Sequence, residues 1–246
     1  MATDEADAAA GLFTVRTALL GPRANADLVL PVRPLGAMHG EAAGRALEAA
    51  GASVRLGERI ESLDELDVDA IVVAVPPRES ARLLDEPDPG LEDSPIVSVH
   101  LWFDRPLLKT PLAALLSSDA HWIFDRGALT DHQPPAGGQY LTVVSSGVPE
   151  LLGVRGRELV ERIAGQLTAR LGSAELLWSR VSREPHATIA LRPGATRPGA
   201  ETQRPDVVRA GAWTDTGWPA TMESAVRSGR AAAARVLEHA RGTVRA

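Results

Sequence analysis

Ala70-Ile-Val-Val-Ala-Val75, led in by Asp69 and stopped by Pro76-Pro77, is the run that most restricts the fold. It is continuous in apolar, largely β-branched residues and does not alternate, so it predicts a strand covered on both faces, as in a parallel sheet. Its candidate partners are Ser53-Val-Arg-Leu56 and, far downstream, the segment from Val207 to Gly211. One sheet would then be assembled across a long stretch of unrelated chain.

That stretch has a different character. Ile96–Phe103, His121–Phe124 and Gln139–Val144 read as strands, with breakers at Asp104-Arg-Pro106 and Pro134-Pro135-Ala-Gly-Gly138. Leu159, Val160, Ile163, Leu167 and Leu171 recur on one face of a helix over about 155–171, closed by Gly172. Leu176–Val181 and Ala187–Ala190 return to the strand pattern, and the Pro/Gly-rich segment 192–205 reads as a loop. On the N-terminal side, Leu35, Met38, Ala42, Ala43, Ala46, Leu47 and Ala50 mark a helix, with Gly51 as its C′ glycine. The first thirty residues, broken at Gly21-Pro22, show no clear period. The expected class is α/β in the α+β sense, an open sheet interrupted by an antiparallel one. The expected boundaries are 1–50 (helical), 51–88 (first sheet), 89–205 (inserted domain) and 206–246 (return to the first sheet).

Composition excludes several kinds of chemistry. A net charge of −6 gives no electrostatic case for nucleic acid. Cysteine is absent, which removes disulfides and thiolate catalysis. His39, His100, His121, His132, His186 and His239 have no ligand spacing, so no metal is expected. Ser145-Ser146-Gly147 lacks the frame of a nucleophile elbow. The acidic start, Met1 to Asp7, is not a secretory leader, and no apolar run is long enough to span a bilayer. A cytoplasmic location is expected.

The segment from Arg209 to Ala232 reads as a strand, a glycine-bearing turn and a helix opened by Pro219 and running to about Ala240. Met222, Ala225, Val226, Gly229, Ala233, Val236, Leu237 and Ala240 form its expected apolar stripe. Such a helix start offers free N–H groups and a positive dipole end to an anion or an electron-rich carbonyl.

Trp213 to Gly229, together with Trp102-Phe-Asp-Arg105, Trp122-Ile-Phe-Asp-Arg126, Arg183-Glu184 and Ala187-Thr188, resembles the squalene-associated FAD-dependent desaturases. These are the hydroxysqualene dehydroxylases of hopanoid biosynthesis, within the amine-oxidase and phytoene-desaturase superfamily. The resemblance covers about residues 28–240. It implies an FAD-binding Rossmann-like sheet, FAD as cofactor, and a substrate domain in the inserted region. Val54 would lie beside the adenine, and Gly211 and Trp213 beside the ribityl chain. Gly217, Trp218, Pro219, Ala220, Thr221 and Met222 would lie against the isoalloxazine. The implied reaction is hydride transfer to a C30 isoprenoid as its hydroxyl leaves. Its apolar substrate implies peripheral membrane contact.

The sequence departs from the pattern twice. Ala212 stands where relatives carry an Asp, and Gly-x-Gly-x-x-Gly occurs nowhere, so the Rossmann-like sheet is expected to be incomplete. A lone chain is expected to bind FAD poorly and to need a partner supplying the missing nucleotide-binding half. A non-catalytic subunit, or another superfamily oxidase acting on amines or protoporphyrinogen, are the alternatives. Asp215, or His121 with Asp125, are the candidate acids; Asp215 reads equally as a turn residue. Trp102, Phe103, Trp122 and Phe124 are expected to fill a core, the alternative being an isoprenoid tunnel.

Overall fold

The computed structural model describes residues 5–130 and 137–243; Pro134, Pro135 and His132 lie outside them. Seven helices are α1 (Ala8–Leu19), α2 (Glu41–Ala49), α3 (Pro77–Leu84), α4 (Arg126–Thr130), α5 (Pro149–Leu152), α6 (Gly156–Leu171) and α7 (Met222–Thr243) among the described residues. The strands are β1 (Ile71–Val73), β2 (Asp93–Phe103), β3 (Leu112–Ala114), β4 (Trp122–Asp125), β5 (Gln139–Ser146), β6 (Leu176–Ile189) and β7 (Val207–Arg209). The chain divides into two units. One holds residues 1–21, 58–93 and 186–246, the other residues 22–57 and 94–185.

In the first unit β1 and β7 pair in parallel, Ile71 opposite Val207 and Val73 opposite Arg209, as a two-stranded sheet. One face carries Val73 and Val207 against Leu63, with Ile60, Leu83 and Leu84 beside them. The other carries Val208 and Ala210 against Ala232 of α7. The expectation of a strand covered on both faces holds only in part, because Val72 of β1 is 41% exposed. A parallel sheet hides both faces only when it is wide enough to be flanked along its whole width. The strand expected at 53–56 does not form, and Val54 and Leu56 are exposed.

α7 begins three residues after Pro219, the start expected from the sequence. Thr221 takes the cap position, its hydroxyl reaching the Ser224 N–H at 3.5 Å. Of the expected apolar stripe of α7, Val236 packs against the sheet cluster, but most of the stripe does not. Met222, Val226 and Leu237 are all more than half exposed, while Ser224, Ser228 and Ala232 are buried. This buried row, spaced at i and i+4, is made of small residues, so helix and strand backbones approach closely.

In the second unit the sheet order is β3-β4-β5-β2-β6. β2 and β5 pair antiparallel from Ile96 opposite Ser146 to Phe103 opposite Gln139. Burial alternates strictly along β2, while in β5 Thr142 is buried between Leu141 and Val143. Val97, Val99, Leu101, Phe103, Leu141 and Val143 point to one face and are at most 1% exposed. They pack with Ile123 and with Leu159, Ile163 and Leu167 of α6 in one cluster. Each such side chain contributes about 1.5–3 kcal/mol through burial. Asp119 ties the preceding loop to α6, accepting from Arg162 at 2.7 and 2.8 Å and from Gln166 at 2.6 Å.

Candidate functional site

The segment between β7 and α7 is held by hydrogen bonds to β1 and its continuation and to α7. The Ala210 N–H donates to the Val73 carbonyl at 2.9 Å, extending the ladder by one residue. The chain then turns through Gly211, at φ 157°. A β-carbon there would collide with the indole of Trp213, so glycine is required by close approach. Trp213 is buried, and its Nε1 donates to the Val75 carbonyl at 3.0 Å. From α7, Ser224 Oγ donates to the Ala212 carbonyl at 3.0 Å, and Ser228 Oγ accepts the Gly211 N–H at 2.9 Å. Sequence reasoning did not single out these two anchoring serines as such. Their signal was two hydroxyls four residues apart on a helix face otherwise small and apolar.

A cavity of ≈ 260 Å³ opens beside this turn, walled by Val75, Pro76, Thr188, Gly211, Trp213 and Ala220 among others. Thr188 Oγ1 donates to the Ala220 carbonyl at 3.1 Å, fixing one wall. Its titratable lining groups are His186 and Asp93, whose Nδ1 and Oδ2 lie 2.6 Å apart. No sequence signal joined these two, which are far apart along the chain. A second cavity of ≈ 310 Å³ in the same unit is lined by Phe13, Arg197, Gly217, Trp218 and Pro219. There Phe13 meets Trp218 edge-on at 5.0 Å, and the Arg227 guanidinium lies 4.5 Å from the center of the Trp218 ring.

The nine residues expected at the cofactor are therefore divided. Gly211, Trp213 and Ala220 line the first cavity; Gly217, Trp218 and Pro219 line the second. Thr221 and Met222 start α7 and are exposed. Val54 belongs to the other unit, is 57% exposed, and lines neither cavity.

The candidate acids have local duties. Asp215 accepts the Gly217 N–H at 3.2 Å and faces Arg197 at 3.7 Å, a turn-forming role. Asp125 accepts from Gln139 Nε2 at 2.7 Å and from the Ala128 N–H at 3.0 Å, capping α4. His121 Nδ1 accepts the Ser146 N–H at 3.3 Å. Among the described residues no group of His, Cys, Asp and Glu is placed to hold a metal.

Residues 45–237 match the family model of flavin containing amine oxidoreductases. The chain belongs to this family. It is 33% identical over 244 residues to a hydroxysqualene dehydroxylase of Sinorhizobium fredii, with 91% of this chain and 56% of that protein covered. It is 37% identical over 176 residues to one of Rhodopseudomonas palustris, with 69% and 38% covered. The chain thus spans about half, or less, of the length of these curated relatives. Its fold is shared with an oxidoreductase from Methanosarcina mazei, at TM-score 0.50 and 17% identity, over 68% of this chain and 43% of the other.

The family's cofactor is FAD, and the residues present fit part of it. The first cavity is lined by small residues such as Ala74, Ala187, Ala212 and Ala220 beside the larger Trp213 and Ile189, and its Gly211 turn leaves no room for a side chain. Its ≈ 260 Å³ is below the usual range for a whole drug-sized ligand, about 300–1,000 Å³. It has room for only a part of the cofactor. A glycine-rich phosphate loop is missing from the sequence.

Proposed function

We propose that the chain is the substrate-domain and flavin-ring part of an FAD-dependent oxidoreductase that converts hydroxysqualene to squalene. The observation that carries this reading is the family membership, joined to relatives of that name at 33% and 37% identity. Once reduced by an external reductant, bound flavin would supply the hydride that replaces the hydroxyl, which leaves as water. Gly211 and Ala212 pass the cofactor chain, held by Ser224 and Ser228. Trp213 and Ala220 wall the cavity and exclude water. The test is anaerobic incubation of the chain, together with a polypeptide bearing the Gly-x-Gly-x-x-Gly loop, with FAD, a reductant and hydroxysqualene, with squalene measured by mass spectrometry. Flavin that binds and is reduced without squalene forming overturns the reading.

A second reading concerns how the chain reaches full activity. Among the described residues β1 is paired on one side only, and Val72 is open. Met222, Val226 and Leu237 present an unpartnered stripe on α7. These surfaces favour a polypeptide partner bearing the Gly-x-Gly-x-x-Gly loop, added as further strands and helices on the same sheet. Co-expression with such a chain is expected to give a stoichiometric yellow complex, whereas the chain alone stays colourless.

Among the described residues no helix is long and apolar enough to cross a membrane. Contact with a membrane surface holding the apolar substrate would run through residues such as Leu12, Leu19 and Leu20 on and after α1, each at least 65% exposed. A vesicle co-sedimentation assay tests this.

A further inference from the structure

The face of the five-stranded sheet opposite the α6 core carries Ser98 and Ser146 toward one end, as a water-facing antiparallel sheet does, but aromatic residues toward the other. Trp102 of β2 stands opposite Tyr140 of β5, their rings stacked with centroids 6.2 Å apart. Trp178 of β6 joins them around a cavity of ≈ 310 Å³. Trp122 of β4 continues the face and is 44% exposed; Trp178 is 47% exposed. Water-exposed indole on this scale marks a binding surface when the residues adjoin.

One polar cluster interrupts this face. His100 stands opposite Thr142 in the register, one alternation along β2 from Trp102. Its Nδ1 lies 3.1 Å from Thr142 Oγ1 and 3.1 Å from Tyr140 Oη. Both hydroxyls engage the same ring nitrogen. Among the described residues Nε2 has no hydrogen-bond partner, so the ring presents a second polar atom beside an aromatic surface. Burial lowers the His100 pKa from its ordinary value, and the charges of Arg126 and Arg180 lower it further. The imidazole is therefore neutral at pH 7, as an uncharged ligand requires.

We propose that this sheet face seats the hydrocarbon chain of an isoprenoid alcohol, with His100, oriented by Tyr140 and Thr142, hydrogen-bonding its hydroxyl. The proposal rests on the dehydroxylase reading and names the group that recognises the substrate's polar end. Trp102, Tyr140 and Trp178 provide stacking surface without demanding a particular sequence of double bonds. His100 provides the discrimination between an alcohol and a hydrocarbon of the same length. One neutral hydrogen bond sets that preference at about fivefold.

The test titrates the full chain with hydroxysqualene and with squalene, both delivered from detergent micelles, and reads tryptophan fluorescence. Wild type is expected to bind the alcohol more tightly than the hydrocarbon. His100→Phe and Tyr140→Phe should bring the two affinities together, and Trp178→Ala should weaken both. His100→Gln, which keeps a donor, should restore part of the preference. Unchanged near-UV circular dichroism identifies variants that keep the fold. Equal affinities in wild type, or a preference that survives both Phe variants, overturns the proposal. So does a ligand-free dimer whose interface is lost in Trp178→Ala, since the face would then belong to a second copy. Squalene formation is scored separately. An alcohol preference that depends on His100 upholds the site even where no squalene forms, and squalene formed with that preference absent sinks the site alone.

Discussion

Arg209 of β7 and Glu86, just after α3, form an ion pair of 2.6 Å with both side chains almost wholly buried, at 10% and 11% exposure. The guanidinium also donates to the Glu201 carbonyl at 2.9 and 3.2 Å. Removing Glu86 leaves a buried cation whose remaining partner is a carbonyl. Glu86→Ala is expected to lower unfolding free energy by about 3–5 kcal/mol. Replacing both partners, as Glu86→Leu with Arg209→Met, should recover most of that loss. Urea denaturation of the single and double variants measures both outcomes. A single variant within 1 kcal/mol of wild type would contradict the pairing (about the size of an exposed pair).

Gly211→Ala tests the close approach in the turn. Its new methyl group must displace the Trp213 indole, which is bonded to the Val75 carbonyl at 3.0 Å. The expected cost is about 1–3 kcal/mol, the range for small-to-large changes in packed sites. The near-UV dichroism of the buried indole should change with it. Gly217→Ala has open space around it and strains only its φ of 72°. It is expected to be the milder of the two, by thermal melting.

Legibility followed the strength of local pattern. α6 was readable because Leu159, Ile163 and Leu167 recur at helical spacing, and all three are fully buried. β2 and β5 were readable as strands by alternation, although the sequence could not say which face met the core. Trp102 and Phe103 were therefore grouped together, while the structure buries Phe103 fully and turns Trp102 to the other side. The turn from Gly211 was legible through its glycines and proline. The start of α7 was not, because a threonine cap competes with Pro219 for that role. Ser224 and Ser228 stayed hidden because their importance lies in backbone groups that no side-chain pattern reveals. The His186–Asp93 pair was invisible for a different reason, since it forms by tertiary approach alone.

The Trp102–Phe103 alternation predicts opposite outcomes from neighbouring substitutions. Phe103→Ala opens a cavity in the cluster that includes Leu101 and Ile163, and is expected to cost about 3–5 kcal/mol. Trp102→Ala removes a partly exposed ring from the far face, with less effect on stability. Chemical denaturation of the two variants side by side decides it. Equal losses would mean that both rings serve one core.

His100 gives the fold a pH dependence with a definite sign. Its folded pKa is lowered by burial and then by Arg126 and Arg180, so the unfolded chain takes up the proton first as pH falls. Stability is unaffected above the ordinary value of 6.5, declines as pH drops through it, and levels off below the folded value. His100→Gln should flatten the slope between about pH 7 and 5. Tyr140 and Thr142 contact the ring through their hydroxyls. The carboxylates with lowered values, Asp104, Asp119 and Asp206 from an ordinary 3.8 and Glu79 from 4.5, act below those values and so below the window. A slope unchanged in His100→Gln would assign the effect elsewhere.

Ala212 offers a gain of function. It follows Gly211, lines the ≈ 260 Å³ cavity, and has its carbonyl held by Ser224 at 3.0 Å. Its methyl group leaves that wall without an acceptor, whereas a carboxylate there would accept a hydrogen bond from the cofactor. Ala212→Asp is expected to tighten FAD binding by about 1–3 kcal/mol, or roughly one to two orders of magnitude. The backbone already follows the required path, since Gly211 and Ser228 fix it independently of the residue at 212. Flavin fluorescence quenching in the chain, alone and with a partner bearing the phosphate loop, measures the change. An affinity that does not move in either setting would place the cofactor away from this turn.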